Sequence, residues 1–147
     1  MPIPELNDDG FLPPGVHTCT LDEVKARFGS FRESDRRPRL FSRLVELFRE
    51  LQRSNFFIAM VINGSFTTGE PLPNDIDIIL VLHRNHDKTA DLSPADYALM
   101  NRSAGRRFGF DLLIAREGSL EYEEYVGFFA QVRRDRRRGK GMLRVNL

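Results

Sequence analysis

The sequence predicts a single α+β domain spanning residues 1–147, with helices packed on a mixed β-sheet. The chain has 147 residues and a hydrophobic content of 41%, which is enough for one core. Three apolar segments, at residues 56–62, 75–82 and 108–115, have the length and composition of buried strands. Amphipathic and capped segments flank them, so helices are expected to cover the sheet.

The first part of the chain is expected to be an arm followed by two helices. Residues 1–19 are rich in Pro, Gly and Asp and predict an irregular arm. Thr20 and Glu23 have the spacing of a capping box, and Gly29 is suited to end that short helix. Residues 37–53 repeat apolar side chains at helical spacing and predict a longer helix that covers the core.

Further elements follow the second and third strands. Ser93 and Pro94 are suited to open a helix, and Ser119 is suited to open another that reaches residue 129. Gly127 leaves a strand as an alternative for this last helix. Residues 133–140 are expected to form a charged turn, and residues 142–147 a final strand.

The composition limits the classes of partner. Charged residues make up 29% of the chain but nearly balance, leaving a net charge of +1, so a basic composition does not argue for nucleic acid. The excess of Arg over Lys suits phosphate binding but also arises from genomic composition. Cys19 is the only cysteine, which predicts a reducing compartment. No secretory signal or membrane-spanning run is visible, so the expected location is the cytoplasm.

A pair of motifs around the second predicted strand points to a phosphate and metal site. Gly64 and Ser65 directly follow the first buried strand, where a small-residue turn lets backbone amides approach a phosphate. Asp75 and Asp77 project from one face of the next strand, roughly 6–7 Å apart. Each motif alone is common: Gly-Ser is an ordinary turn, and an Asp pair also occurs at the solvated entry of a strand.

Asp111 lies in a third segment that is otherwise fit for burial. Because burying an unpaired carboxylate is costly, such a group is usually paired with a cation or bound to a metal. Arg106 or Arg107 is the competing ion-pair partner. If the third strand neighbours the second, however, three carboxylates converge at one end of the sheet, an oxygen-rich site that suits Mg²⁺ or Mn²⁺.

Residues 64–78 as a whole resemble the signature of the DNA polymerase β-type nucleotidyltransferase superfamily. That signature has Gly-Ser, a spacer, Asp-hydrophobic-Asp and a third acid on a later apolar strand. Here nine residues separate Ser65 from Asp75, and Asp111 matches the third acid. The resemblance covers a catalytic core at residues 56–115. The one departure inside it is Asn63, which stands where the superfamily usually has an apolar residue.

The resemblance implies roles for these residues. Asp75 and Asp77 would ligate two metal ions, and Asp111 would act as base or second-metal ligand for the incoming hydroxyl. Gly64 and Ser65 would hold the triphosphate of an NTP, with ATP as the default. Two ions about 3.5–4 Å apart activate an attacking hydroxyl and neutralise the leaving pyrophosphate.

Both flanks also resemble one group of short bacterial nucleotidyltransferase-like proteins, at residues 9–17 and 140–143. The chain is expected to lack the helical domain with which larger relatives grip their acceptor. Minimal relatives include antitoxin-like proteins that adenylylate a toxin. The acceptor would therefore be gripped by the arm, the C-terminal segment, a second copy of the chain or a partner protein such as a cognate toxin.

The remaining polar residues favour ordinary surface roles. The segment 133–140 has six basic residues and one acid, and a solvated turn is the preferred interpretation over phosphate or nucleic-acid binding. Lys140 is the one position there proposed to contact phosphate. His83, His86 and Asp87 are interpreted as loop residues, and His17 has no assigned role. The aromatic cluster at residues 122–129 is interpreted as core or dimer surface.

The sequence therefore predicts a metal-dependent enzyme that transfers a nucleotide monophosphate from an NTP to a hydroxyl of a protein, nucleic acid or small molecule. The alternative is a non-catalytic nucleotide-binding or antitoxin-type module on the same fold. Near-neutral charge counts against a third hypothesis, an Arg-rich nucleic-acid binder.

Overall fold

A mixed five-stranded sheet forms the centre of the computed structural model, which describes residues 3–86, 108–132 and 135–147. Its strands are β1 (Val16–Cys19), β2 (Phe57–Asn63), β3 (Asp77–Leu82), β4 (Asp111–Arg116) and β7 (Met142–Asn146). A separate hairpin pairs β5 (Gln131–Val132) with β6 (Asp135–Gly139). The helices of the described ranges are α1 (Leu21–Phe28), α2 (Arg36–Ser54) and α3 (Leu120–Phe129). This architecture confirms the predicted α+β class.

The strand order is β1-β7-β2-β3-β4. Strand β2 runs antiparallel to both β3 and β7, whereas β1 is parallel to β7 and β4 is parallel to β3. As a result, β2 ends at the same sheet margin where the other four strands begin. We call this margin the site edge.

Apolar side chains on alternate positions of the strands form two clusters. One face of the sheet packs under α1 and α2, with Ile62, Ile78 and Leu80 fully buried. The opposite face packs under α3, with Val61, Ile79 and Tyr122 in its cluster. Because side chains alternate along a strand, this division fixes which face each polar residue at the site edge occupies.

Local sequence signals explain the helix boundaries. Thr20 and Glu23 form the predicted capping box, and Gly29 caps α1 at its C-terminal end. A Cβ at Gly29 would lie 2.7 Å from the Phe41 ring, so close helix packing, rather than a left-handed backbone, requires glycine there. Ser119 accepts a hydrogen bond from the Tyr122 amide and starts α3, which confirms the helix over the strand alternative.

Two predicted elements differ from the structure. The arm is not irregular to residue 19, because Val16–Cys19 pairs with β7 as a parallel strand. The segment 133–140 is not simply a turn, because Asp135–Gly139 forms the second strand of the hairpin. The first strand is hard to predict because its partner, β7, lies far along the chain. The second is hard to predict because its own sequence is charged and poor in strand-forming residues. The helix predicted from Ser93 lies outside the described ranges. In the part of the chain that is described, no helix is long and apolar enough to cross a membrane.

Arg37, in the first turn of α2, is buried to 1% exposure. Its Nη1 donates to the carbonyl oxygens of Phe28, at 3.2 Å, and Phe66, at 2.7 Å. Its Nη2 donates to the carbonyl oxygens of Thr68, at 2.8 Å, and Glu70, at 2.6 Å. The guanidinium also lies within 6 Å of the centroids of the Phe28 and Phe66 rings, which pack beside each other. Burial lowers the pKa of Arg37, but a guanidinium stays protonated.

This single side chain therefore holds the 66–70 segment against the start of α2. The segment directly follows Gly64 and Ser65, the predicted phosphate-binding turn. Substitution Arg37→Met is expected to destabilise the protein by roughly 3–5 kcal/mol, because four carbonyl groups lose a charged donor. Arg37→Lys keeps the charge but not the planar fork, and should recover less than half of the loss. Urea unfolding measures both free energies.

The matched control is Arg39→Met, since the Arg39 side chain is 72% exposed and pairs with Asp35 on the surface. That substitution should change the free energy of unfolding by no more than about 0.5 kcal/mol. Equal effects at positions 37 and 39 would contradict the assigned role of Arg37.

Candidate nucleotide and metal site

The residues singled out in the sequence gather at the site edge. Gly64 and Ser65 follow the end of β2, and Asp77 and Asp111 are the first residues of β3 and β4. Lys140 stands two residues before β7. The topology thus brings together at one margin positions that are up to 76 residues apart in sequence (64 to 140).

Gly64 makes the turn out of β2 with a φ of 92°. A Cβ at this position would lie 2.9 Å from the Asp75 carbonyl oxygen and 3.1 Å from the Asp77 amide nitrogen. Only glycine combines the positive φ with so close an approach of two backbones. Glycine is therefore required at position 64 because the turn packs closely against the start of β3.

Ser65 and Asp75 are joined by a compact set of hydrogen bonds. The Ser65 amide donates to Asp75 Oδ1 at 2.8 Å, and the Ser65 hydroxyl donates to the same oxygen at 2.6 Å. The hydroxyl oxygen in turn accepts from the amides of Asn74, at 2.9 Å, and Asp75, at 3.2 Å. Phe66 adds a backbone bond to the Asp75 carbonyl at 3.2 Å. These contacts fix Asp75 against the turn.

Asp77 and Asp111 are direct neighbours across the parallel β3–β4 pair. On the other side of Asp77, its neighbour across the antiparallel β2–β3 pair is Asn63. Adjacent strands lie about 4.7–4.9 Å apart, and laterally paired residues point to the same face. Asn63, Asp77 and Asp111 therefore form one polar row on the α3 face, in line with the buried Val61, Ile79 and Ala115.

The environment of Asp111 differs from the one predicted. Asp111 is exposed, because it begins a strand at the end of the sheet, so the argument from a buried carboxylate is wrong. The predicted strand neighbourhood is nevertheless confirmed, since β3 and β4 pair directly. Arg106 and Arg107, the competing partners, lie outside the described residues.

The three predicted carboxylates are not arranged together as ligands of one metal ion. Within residues 3–86, 108–132 and 135–147, no group of three His, Cys, Asp or Glu side chains is arranged to hold a metal ion. Asp77 and Asp111 stand side by side, whereas Asp75 is directed to Ser65. The structure thus brings two of the three predicted carboxylates together in one row.

Asn63 is the polar residue of the row that the sequence identified only as a departure from the superfamily pattern, without a role. It is 1% exposed, and its Nδ2 donates to the Phe129 carbonyl at 3.0 Å. Its Oδ1 is buried and has no hydrogen-bond partner in the part of the chain that the structure describes. An unsatisfied buried acceptor costs about 1–3 kcal/mol. A polar residue just before Gly64 at the end of an apolar strand is the signal that could have identified it.

The C-terminal end of α3 covers the site edge. The Phe129 carbonyl binds Asn63, and the next carbonyl, of Ala130, accepts from the Lys140 amide at 2.9 Å. The aromatic prediction is confirmed in part: Tyr122 is buried in the core, and Phe129 packs partly buried against it. Phe128, by contrast, is 69% exposed.

The arm connects the two sides of the site edge. The Gly10 carbonyl accepts from the Gly69 amide at 2.9 Å, next to the turn that follows β2. The Leu12 carbonyl accepts from the Gly141 amide at 2.9 Å, next to Lys140. Leu12 is fully buried and anchors this path. The two flanking segments that resemble one bacterial group, residues 9–17 and 140–143, are thus in contact with each other.

The other titratable candidates lie away from the polar row. Cys19 is buried at the end of β1, and burial raises the pKa of its thiol to about 11, which disfavours the reactive thiolate. His17 Nε2 lies 2.7 Å from the Pro13 carbonyl oxygen. His83 and His86 both lie in the loop after β3, as predicted; His83 is exposed, whereas His86 is partly buried and packs edge-on against the Phe56 ring. Asp87 lies outside the described residues.

Replacing Gly64 tests the turn directly. Gly64→Ala should destabilise the protein by about 2–4 kcal/mol, through the strained φ and the close contacts with residues 75 and 77. Gly127→Ala is the matched control, because a Cβ at that position of α3 meets nothing within 4 Å. It should stabilise the helix by up to about 1 kcal/mol. Thermal and urea unfolding of both variants give the comparison, and a Gly64→Ala protein of unchanged stability would contradict the described turn.

Comparison with known proteins assigns a family to the chain. No curated protein and no solved structure gave a significant match. The sequence model of a family of unknown function, DUF6932, matches residues 4–146, from the arm through the end of β7. The match includes the Gly64–Ser65 turn, the polar row and Lys140. The chain is a member of the DUF6932 family.

Proposed function

We propose that this protein transfers a nucleotide monophosphate from an NTP to a hydroxyl acceptor, in a reaction that depends on Mg²⁺ or Mn²⁺. The observation that carries the proposal is the register of β3 and β4, which sets Asp77 beside Asp111 at the sheet margin where the Gly64–Ser65 turn lies. The similarity of residues 64–78 to the nucleotidyltransferase signature supports the same interpretation.

The chemistry of the row fits a divalent cation. Two carboxylates one strand apart repel each other, and a cation between them offsets that repulsion. Carboxylate oxygens are the donors that Mg²⁺ and Mn²⁺ prefer. The C-terminal end of α3, which carries a partial negative charge, lies over the same edge and adds to the preference for a cation. Asp77 and Asp111 would hold the ion, together with Asp75.

The bound ion would supply charge neutralisation for the phosphates and would orient the acceptor oxygen. Asp111, the more exposed of the two row carboxylates, is the accessible position at which an incoming hydroxyl would give up its proton. Asp77, half-buried between Asn63 and Asp111, would orient the ion.

The phosphate side of the site would involve Gly64, Ser65 and Lys140. The Ser65 amide and hydroxyl are both engaged with Asp75 Oδ1. Binding of a triphosphate at Ser65 would therefore exchange this carboxylate oxygen for a phosphate oxygen and release Asp75 toward the row. Lys140 stands at the same margin as a cationic group for the phosphates.

The acceptor and the location complete the proposal. ATP is the default donor, and the hydroxyl would belong to a partner protein such as a cognate toxin, to a second copy of the chain, to a nucleic acid or to a small molecule. A cytoplasmic location would provide the nucleotide and the Mg²⁺. The exposed Phe128 is the apolar side chain near the site edge that such an acceptor would meet.

Label transfer from each α-³²P-labelled NTP, with Mg²⁺ or Mn²⁺, tests the activity. The acceptors should include the protein itself and the host's protein and RNA fractions. Asp77→Asn and Asp111→Asn remove charge at nearly constant shape and should each lower transfer by roughly 100-fold or more. Asp22→Asn, in the first turn of α1 at the opposite end of the sheet, is the matched control and should leave transfer unchanged.

Transfer that survives both row substitutions would contradict the proposal. A protein that binds Mn²⁺ and NTP through Asp77 but transfers no label to any acceptor would indicate the non-catalytic nucleotide-binding or antitoxin-type module instead. Equilibrium dialysis with the labelled NTP separates these two results.

A further inference from the structure

Asn63 is the buried amide that begins the polar row. Two features distinguish it from the other polar residues of the site edge. It is 1% exposed, in a strand whose other residues are all apolar, and its buried Oδ1 has no partner among the described residues. The bond to Phe129 accounts for the Nδ2 branch, whereas a buried acceptor left unsatisfied is costly, so the Oδ1 branch points to a ligand.

The orientation of the Asn63 amide follows from its other branch. Nδ2 donates to the Phe129 carbonyl at 3.0 Å. Rotating the amide by half a turn would set Oδ1 against that carbonyl oxygen, acceptor against acceptor, so the observed orientation is the favourable one. Oδ1 is therefore the branch that does not bind α3, on the α3 face of the sheet.

On that face the lateral neighbour of Asn63 is Asp77, and the neighbour of Asp77 is Asp111. The three side chains span three adjacent strands, and their exposure rises from the buried Asn63 to the exposed Asp111. Asp75, the first acid of the signature, has its Oδ1 engaged by Ser65. The row thus contains three oxygen-bearing side chains, and one of them is an amide.

We propose that Asn63 Oδ1 is a ligand of the divalent cation held at Asp77 and Asp111, either directly or through one of its water molecules. This rests on the proposed function for the location of the cation, and it adds a neutral oxygen to the ligand set. Amide oxygens are hard ligands of the kind that Mg²⁺ and Mn²⁺ accept beside carboxylates. Through its Nδ2, the same amide connects the cation site to the last turn of α3.

Mn²⁺ binding without nucleotide tests the assignment, measured by electron paramagnetic resonance of the free ion. Asn63→Leu removes both amide branches and should weaken Mn²⁺ binding about tenfold. Asn63→Asp loses the donor to Phe129 but keeps an oxygen, and should bind Mn²⁺ at least as tightly as the unaltered protein. Asn146→Leu, at the far end of β7, is the matched control and should bind normally.

The two Asn63 variants distinguish a ligand from an anchor of α3. Both lose the bond to Phe129, so a purely structural role predicts equal losses of thermal stability and of Mn²⁺ affinity. Equal weakening in both variants, or normal binding by Asn63→Leu, would overturn the proposal. Asp77→Asn tests the cation site independently of Asn63. Unchanged Mn²⁺ binding in that variant would overturn the cation site itself.

A second measurement uses the unaltered protein and so does not depend on the folding of any variant. In ¹⁵N-labelled protein, substoichiometric Mn²⁺ should broaden the side-chain amide resonances of Asn63 before those of Asn146. Equal broadening of the two resonances, or none at Asn63, would overturn the assignment.

Discussion

The lateral register of β2, β3 and β4 is the constraint on which the site depends. Pairing Asn63 with Asp77 and Asp77 with Asp111 places three polar side chains in one row across the sheet. A shift of one residue in either pair would move a carboxylate to the face that packs under α2. The apolar residues of β2 and β3 hold the register of that pair, because nearly all of them are buried, on both faces of the sheet.

Hydrogen bonds on both faces of the sheet hold the segments around the site edge in place. On one face, Arg37 at the start of α2 donates hydrogen bonds to three carbonyl groups of the 66–70 segment. On the other face, the end of α3 binds the Asn63 amide and the Lys140 backbone. The arm joins the two sides through Gly69 and Gly141. A turn held at so many points presents a preorganised backbone to a ligand, which lowers the cost of binding.

Sequence periodicity and capping predicted α1, α2, α3 and the strands β2, β3, β4 and β7, because those signals are local. The strand β1 and the Asp135–Gly139 strand were missed, since their pairing depends on distant or charged segments. The exposure of Asp111 was mispredicted, because an apolar sequence does not tell whether a strand lies inside the sheet or at its end. Arg37 had no local signal at all, as it stands among several arginines at a helix start.

The central claim is that the polar row holds a divalent cation. The most direct test is anomalous X-ray scattering from crystals of the protein grown or soaked with Mn²⁺. We expect one anomalous peak at the site edge, within ligand distance of the Asp77 and Asp111 carboxylates. An occupied Mn²⁺ site elsewhere, with no peak at the row, would contradict it.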